Sequence, residues 1–423
     1  MWLALQEGCW WLVQVVMKRC GLALCKRWHR FALTMQAMRV SDSAAFPSAP
    51  SSVVTYTPGH ALAVHIRQAI AQAGGWLPFD RFMHLALYTP SLGYYTRGDT
   101  QLGQGLRSGD GSDFVTAPEL SPLFGHTLAA QVAEALQHTG TAEVWEFGAG
   151  SGALAEQVLD ALAAQGMPLR RYTIVDVSGS LRQRQQQRLA RFGEQVQWRD
   201  ALPDALQGVV LGNEVLDAMP VQLLHRIGGV WHERGVVVAE TEGGFGFVWQ
   251  DQPTNLRPPV DVAGDHDYLT EIQPQAQAFI RTVAERLQRG AAFFIDYGFG
   301  EREYYHPQRH MGTLMCHQGH RADPDPLHAL GGKDITAHID FTAMAVAAQE
   351  AGMGLLGYTS QGRFLLNCGL ADHMAAADLP TRTLAHKLVL EHEMGELFKV
   401  LGFCAGEPWC ARGFAVGDRL HAL

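Results

Sequence analysis

Apolar and polar positions along this chain switch repeatedly between a strand pattern and a helix pattern. Residues 144–147 (Val144, Trp145, Glu146, Phe147) read as a buried strand and run straight into glycines at alternate positions, Gly148, Gly150 and Gly152. Residues 153–164 follow with Leu154, Val158, Leu159 and Leu162 at helical spacing among strong helix formers. The same switch recurs downstream. Residues 172–176, 196–200, 208–213 and 290–298 read as further buried strands, and residues 180–192 and 268–289 as helices between them. Such alternation predicts an α/β fold built on a doubly wound, mainly parallel sheet.

The flanks of this core have other patterns. Residues 59–74 predict a helix with Leu62, Ile66 and Ile70 on one face, residues 79–87 a shorter one, and residues 122–137 the helix that leads to the glycine turn. Between them lie Tyr94, Tyr95, a glycine-rich segment over 98–111, and a polar stretch with Phe114, Thr116 and Glu119. Ten or more polar and glycine residues beside aromatics predict a lid that orders on ligand, against the plainer reading of a surface loop or, for the tyrosines, core. Residues 222–227, 229–240 and 243–250 read as hairpin strands inside an insertion over 221–267, and a second insertion over 299–334 is rich in His, Pro and Gly. A helix over 341–351, closing strands over 355–358 and 362–366, and a mostly helical remainder from residue 371 complete the reading. The expected organisation is a leader and linker (1–58), a helical N-terminal region (59–139) and a core (140–423).

Composition narrows the function. With 423 residues, 47% hydrophobic and 18% charged, the chain has ample core. A net charge of −9 argues against a general affinity for nucleic acid or anionic membrane. Seven cysteines in no Cys-x-x-Cys pair suggest free thiols in a reducing compartment. The first 45 residues hold six basic side chains against Glu7 and Asp42, with no apolar run of membrane-spanning length. They read either as a mitochondrial presequence or, the preferred reading, as a dispensable leader ahead of Met35 or Met38. His317, His320 and His328 lack the spacing of a structural zinc site, so no metal is expected.

The glycine turn alone fits two cofactors, a dinucleotide or S-adenosylmethionine, because bare backbone beside a helix N-terminus suits either. Asp176, at the end of the second strand, can accept from both ribose hydroxyls in either case. Asp200, after the third strand, is placed to meet an adenine amino group or to cap a turn. The fourth strand separates the readings. Asn213 and Glu214 at its carboxyl end, followed by Asp217 and Pro220, set an amide and carboxylates over a methyl-donor position, where a nitrogen nucleophile would be held in line. A hydride-transfer enzyme would more readily offer a His or Tyr proton donor.

Taken in order, Gly93-Tyr94-Tyr95, Asp113 to Glu119, Glu146-Phe-Gly-Ala-Gly150, Asn213 to Pro220, Ile295-Asp-Tyr-Gly298, Gly312-Thr313 with His320, and Asp334 to Phe341 resemble the MidA family from about residue 60 to about 420. That resemblance implies a Rossmann-like S-adenosylmethionine (SAM) methyltransferase core. It also implies methylation of protein arginine, in mitochondrial members on a subunit of respiratory complex I. The expected setting is bacterial cytoplasm, or alternatively the mitochondrial matrix, and a homodimer is compatible with it. Carried onto this sequence, Glu146, Gly148, Gly150, Gly152, Asp176, Asp200 and Asn213 are expected to bind cofactor. Glu214, with Asp217 and Glu119 as partners, is expected to orient the guanidinium, which stays protonated in water. Tyr94, Tyr95, Phe114 and Thr116 would cover donor or substrate. Asp296 either faces the site or pairs structurally, and His338 and Asp340 read as capping residues. The rival readings are a non-catalytic SAM-binding assembly factor and an NAD-dependent oxidoreductase.

Overall fold

The computed structural model describes residues 58–97, 116–242, 244–319 and 321–423. The basic leader, the linker, the glycine-rich segment, Phe114 and His320 lie outside the described residues. Helix α1 (Pro58–Gln72) turns Leu62, Ile66 and Ile70 inward; strand β1 (Leu77–Pro78) follows, then α2 (Phe79–Tyr88). Next come α3 (Ala117–Leu120), α4 (Leu123–Thr139), β2 (Glu143–Phe147), α5 (Ala153–Ala164), β3 (Arg171–Val175), α6 (Gly179–Arg188), β4 (Val196–Arg199) and β5 (Leu206–Asn213). The hairpin strands are β6 (Gln222–Ile227), β7 (Val230–Thr241), β8 (Gly244–Pro253) and β9 (Tyr268–Ile272). Helix α7 (Pro274–Arg286) leads into β10 (Leu287–Phe299), followed by α8 (Glu301–Tyr304), β11 (Met315–Gln318), β12 (Arg321–Asp323), β13 (Asp334–Thr336) and β14 (Ile339–Asp340). Helix α9 (Phe341–Glu350), β15 (Gly354–Ser360), α10 (Gln361–Asn367), α11 (Leu370–Ala376), α12 (Leu379–Lys387) and β16 (Phe398–Ala405) complete the named elements.

The central sheet runs β4-β3-β2-β5-β10-β16-β15. Strands β4, β3, β2, β5 and β10 are parallel, and β16 lies antiparallel between β10 and β15. A dinucleotide-binding sheet is wholly parallel, with its last strand beside the fifth. The inserted antiparallel strand departs from that plan. Strand order reverses at β2 and β5, so the carboxyl ends of these two strands open onto the crevice where open α/β sheets bind their ligands.

A second, antiparallel sheet pairs β7 with β8 on one side and with β6 and β1 on the other, with β9 beyond β6. Helices α1 and α2 pack on it in one apolar cluster with Val221, Leu223 and Val236, joined by Cys316 from the second insertion and by Ile335 just after it. Helix α4 packs elsewhere: Phe124, Leu128 and Val132 join Val158, Leu159 and the central strands. The N-terminal region expected as one unit over 59–139 is thus shared between two apolar clusters. Among the described residues no helix is long and apolar enough to cross a membrane.

Three element readings change. The helix expected over 268–289 is strand β9, then α7, then the start of β10. Pro274, lacking a backbone donor, begins the true helix. Residues 362–366 are helical within α10, where Phe364 and Leu365 are buried, rather than a strand. The tail from 371 is not helical throughout, since β16 is a largely buried strand of the central sheet, apolar but for Lys399.

Candidate active site

Three glycines at the end of β2 all take positive φ: Gly148 at 60°, Gly150 at 53° and Gly152 at 83°. Side chains disfavour this region, so the sequence alternation is what permits the turn. A Cβ on Gly148 would stand 3.0 Å from Val215, which places the glycine turn directly against the segment that follows β5.

Gln185 of α6 fixes this turn from outside. Its Nε2 donates to the Gly150 carbonyl at 3.0 Å and to Asp176 Oδ2 at 2.8 Å, while its Oε1 accepts from Trp198 Nε1 at 3.0 Å. Asp176 Oδ1 accepts from the Ser178 amide at 2.8 Å, so the carboxylate at the end of β3 is held from two sides. Burial raises the Asp176 carboxyl, and the Ser178 and Gln185 donors pull it back. Glu146, on β2 itself, accepts from Tyr172 Oη at 2.7 Å, and burial pushes its carboxyl up to about 8. Asp200 follows β4 directly and is exposed.

The segment after β5 carries the carboxylates. Glu214 has φ of 53°, a left-handed conformation that a non-glycine residue rarely holds without support. Support comes from β10. The Glu214 amide donates to the Ile295 carbonyl at 2.9 Å. Asp296 Oδ2 then accepts from the amides of Val215 (3.2 Å), Leu216 (3.0 Å) and Asp217 (3.3 Å). Of the two roles open to Asp296, this geometry shows the structural one: its carboxylate clamps the turn. Burial and the neighbouring Asp217 and Glu214 carboxylates push it well above the usual carboxylate range.

Glu214 Oε1 accepts from Asn213 Nδ2 at 3.0 Å, and the nearby Ala117 amide also helps lower its carboxyl. Loss of hydration, then the adjacent Asp217, raises the Glu214 carboxyl to about 8. Asp217 Oδ2 accepts from Tyr297 Oη; burial raises this carboxyl to about 6 against the pull of that bond. Asp217 Oδ1 and Asn213 Oδ1 are buried without a hydrogen-bond partner among the described residues. Two such atoms a few residues apart mark a place built to hold another molecule. Among the described residues no arginine or lysine forms an ion pair with Glu214, Asp217 or Asp296.

Aromatics wall this acidic place. Tyr88 stacks on Tyr95, with centroids 5.5 Å apart, and donates to the Ala218 carbonyl at 3.0 Å. Tyr95 Oη donates to Asp334 Oδ1 at 2.7 Å. Tyr94 lies buried in the apolar cluster of α1 and α2, the core alternative for that residue. Glu119 does not join Glu214 and Asp217. It accepts from Ser151 Oγ in the glycine turn and from Arg188 at 3.0 Å. Thr116 precedes α3 without a side-chain cap bond. His338 is half-buried with its ring against Tyr297, and Asp340 caps α9 through the Ala343 amide. Among the described residues no three His, Cys, Asp or Glu side chains gather to hold a metal, and His328 pairs with Asp325.

Residue-level reasoning missed Gln185, Arg188, Tyr88 and Tyr297. Gln185 and Arg188 look in sequence like any polar helix positions, and nothing local distinguishes them. Tyr297 adjoins Asp296 in the recognised motif, and its place at the end of a buried strand was an available signal.

These features define a SAM-dependent methyltransferase, and the comparisons agree. The family described as "Putative S-adenosyl-L-methionine-dependent methyltransferase" matches residues 127–359, more than half of the chain, and the chain belongs to it. A crystal structure from Burkholderia thailandensis with bound S-adenosyl-homocysteine is 49% identical, with a TM-score of 0.82, over 90% of this chain and 100% of that one. The protein arginine methyltransferase NDUFAF7 homolog of Drosophila melanogaster is 28% identical over 82% of this chain and 86% of its own length. The human NDUFAF7 protein is 26% identical over 72% and 73% respectively. The resemblance to the MidA family stands, and the oxidoreductase reading falls. The residues present fit SAM. Positive-φ glycines leave bare backbone, Asp176 stands at the next strand end, and Asn213 Oδ1 lacks a partner.

Proposed function

We propose that the chain methylates arginine nitrogen in a protein, with SAM over Gly148, Gly150 and Gly152 and its ribose on Asp176. Bound there, SAM supplies an electrophilic methyl group. The protein's own residues do the rest. Glu214 and Asp217 orient a guanidinium and spread its charge, and the stacked Tyr88 and Tyr95 offer ring faces to the same cation. With a carboxyl raised to about 8, Glu214 is also suited to take the proton that the guanidinium must lose. The observation that carries this reading is a pair of carboxylates, Glu214 half-buried and Asp217 buried, that no arginine or lysine of the described residues pairs with, set beside the cofactor turn. The names of the NDUFAF7 relatives point the same way.

A subunit of respiratory complex I is the partner that the MidA resemblance implies. Identity of 49% to the Burkholderia chain, against 28% to the fly relative, favours bacterial cytoplasm over the mitochondrial matrix. The test is Glu214→Gln, assayed with tritiated SAM and host protein extract and read as methylarginine after acid hydrolysis. Removing the carboxylate should lower transfer by roughly 10²–10³-fold, the scale of one transition-state interaction of about 3–4 kcal/mol, while S-adenosylhomocysteine still binds. Label recovered on another residue type, or undiminished transfer by the variant, would overturn the arginine reading.

A further inference from the structure

Helix α3 is a single turn, packed into the core through Ala117, Pro118 and Leu120, and it lies between the two halves of the site. At its start the Ala117 amide is near enough to Glu214 to pull that carboxyl down against burial. Two residues on, Glu119 is tied to the glycine turn through Ser151 Oγ. Arg188 organises that tie: its Nη1 reaches Glu119 Oε1 at 3.0 Å and Ser151 Oγ at 2.5 Å, and its Nε reaches Glu156 Oε2 at 2.9 Å. Glu119 and Arg188 are 69 residues apart in sequence, and both side chains are mostly shielded from solvent. The other bonds of the turn are local, from Glu119 and Leu120 to the Thr116 carbonyl and from Ser121 to that of Ala117, apart from Gln157 Nε2, which donates to the Pro118 carbonyl at 2.7 Å.

We propose that Arg188 is a positioning residue. It latches Glu119 to the cofactor turn so that occupancy of the turn is transmitted along α3 to the Ala117 amide beside Glu214. Ser151 lies between two of the glycines whose backbone faces the cofactor, so any shift of the turn on binding moves the latch directly. Exposed ion pairs are weak, but a multidentate arginine in a shielded site fixes geometry as well as adding energy. The inference rests on the cofactor turn and not on arginine as methyl acceptor.

The test uses the full chain and S-adenosylhomocysteine. Hydrogen exchange of the amides of Ala117, Glu119, Leu120 and Ser121 is measured with and without saturating ligand, in wild type, Arg188→Met, Arg188→Lys and Glu119→Gln. In wild type, ligand should slow these amides by about tenfold or more, an opening equilibrium shifted by the ligand. Arg188→Met should still bind, within about threefold by calorimetry, but lose that slowing; Arg188→Lys should recover part of it. A purely structural arginine would change exchange equally with and without ligand. Glu119→Gln repeats the test should Arg188→Met not fold. Wild-type amides indifferent to bound ligand, or a ligand-linked slowing retained in both Arg188→Met and Glu119→Gln, would overturn the proposal. Failure of wild type to bind S-adenosylhomocysteine would instead strike at the cofactor assignment.

Discussion

Replacing Glu146 with glutamine should change how stability depends on pH, in a direction set by the structure. Glu146 is buried on β2, and burial raises its carboxyl from 4.5 to about 8. Between those values the unfolded chain has released a proton that the folded protein keeps. Stability therefore falls as pH rises through this window, by up to about 1.4 kcal/mol per pH unit. Summed over the window, one side chain costs on the order of 4 kcal/mol at pH 8, a large part of the usual 5–15 kcal/mol of a folded domain. Glutamine has no proton to lose, and its carbonyl can still accept from Tyr172 Oη. Urea midpoints of wild type and Glu146→Gln at pH 5, 6, 7 and 8, without cofactor, isolate the effect, because the other raised carboxyls contribute to both proteins alike. The variant should gain steadily on wild type from pH 5 to 8 and level off above. A gap that stays constant with pH would refute the assignment of a protonated Glu146.

Other substitutions separate binding, turn geometry and chemistry. Gly150→Val forces a branched side chain into φ near 53° and fills the bare backbone, so calorimetry should detect no S-adenosylhomocysteine binding. Asp176→Ala removes a carboxylate able to accept from the ribose and should weaken that ligand by roughly 10–100-fold, the scale of a charge-assisted hydrogen bond. Asp296→Ala leaves three backbone amides without their acceptor, each worth about 1–3 kcal/mol; a fall of several degrees in Tm should follow, with Asp296→Asn much milder. A thermal midpoint unchanged by Asp296→Ala would show that the turn is held by other means.

The parallel strands, the crossovers and the hairpin insertion were legible because each is a local pattern. The long stretch over 268–289 was misread for the converse reason. Tyr268, Thr270 and Glu271 are buried along one short strand against β6, and nothing in a helical window separates them from the helix that begins at Pro274. Strand β16 carried a plain signal, the apolar run from Val400 to Ala405, and was submerged in helical neighbours. The cofactor side of the site was readable because glycines and strand-end acids sit at fixed offsets. The tie of Glu119 to Arg188 and the clamp of Asp296 on residues 215–217 depend on contacts 69 and about 80 residues apart, which no local pattern encodes.

The place of β16 also bears on how the molecule is made. Among the described residues strand β15 pairs only with β16, and β16 also covers the open side of β10, the strand that supports Glu214 and carries Asp296. On a ribosome, everything through residue 397 can emerge and still leave two unsatisfied strand edges flanking a gap. Closure of the sheet must await the emergence of residues 398–405. A nascent chain stopped before them would present those edges to its neighbours, so demand for chaperones should persist until that segment is out rather than easing as each earlier strand appears.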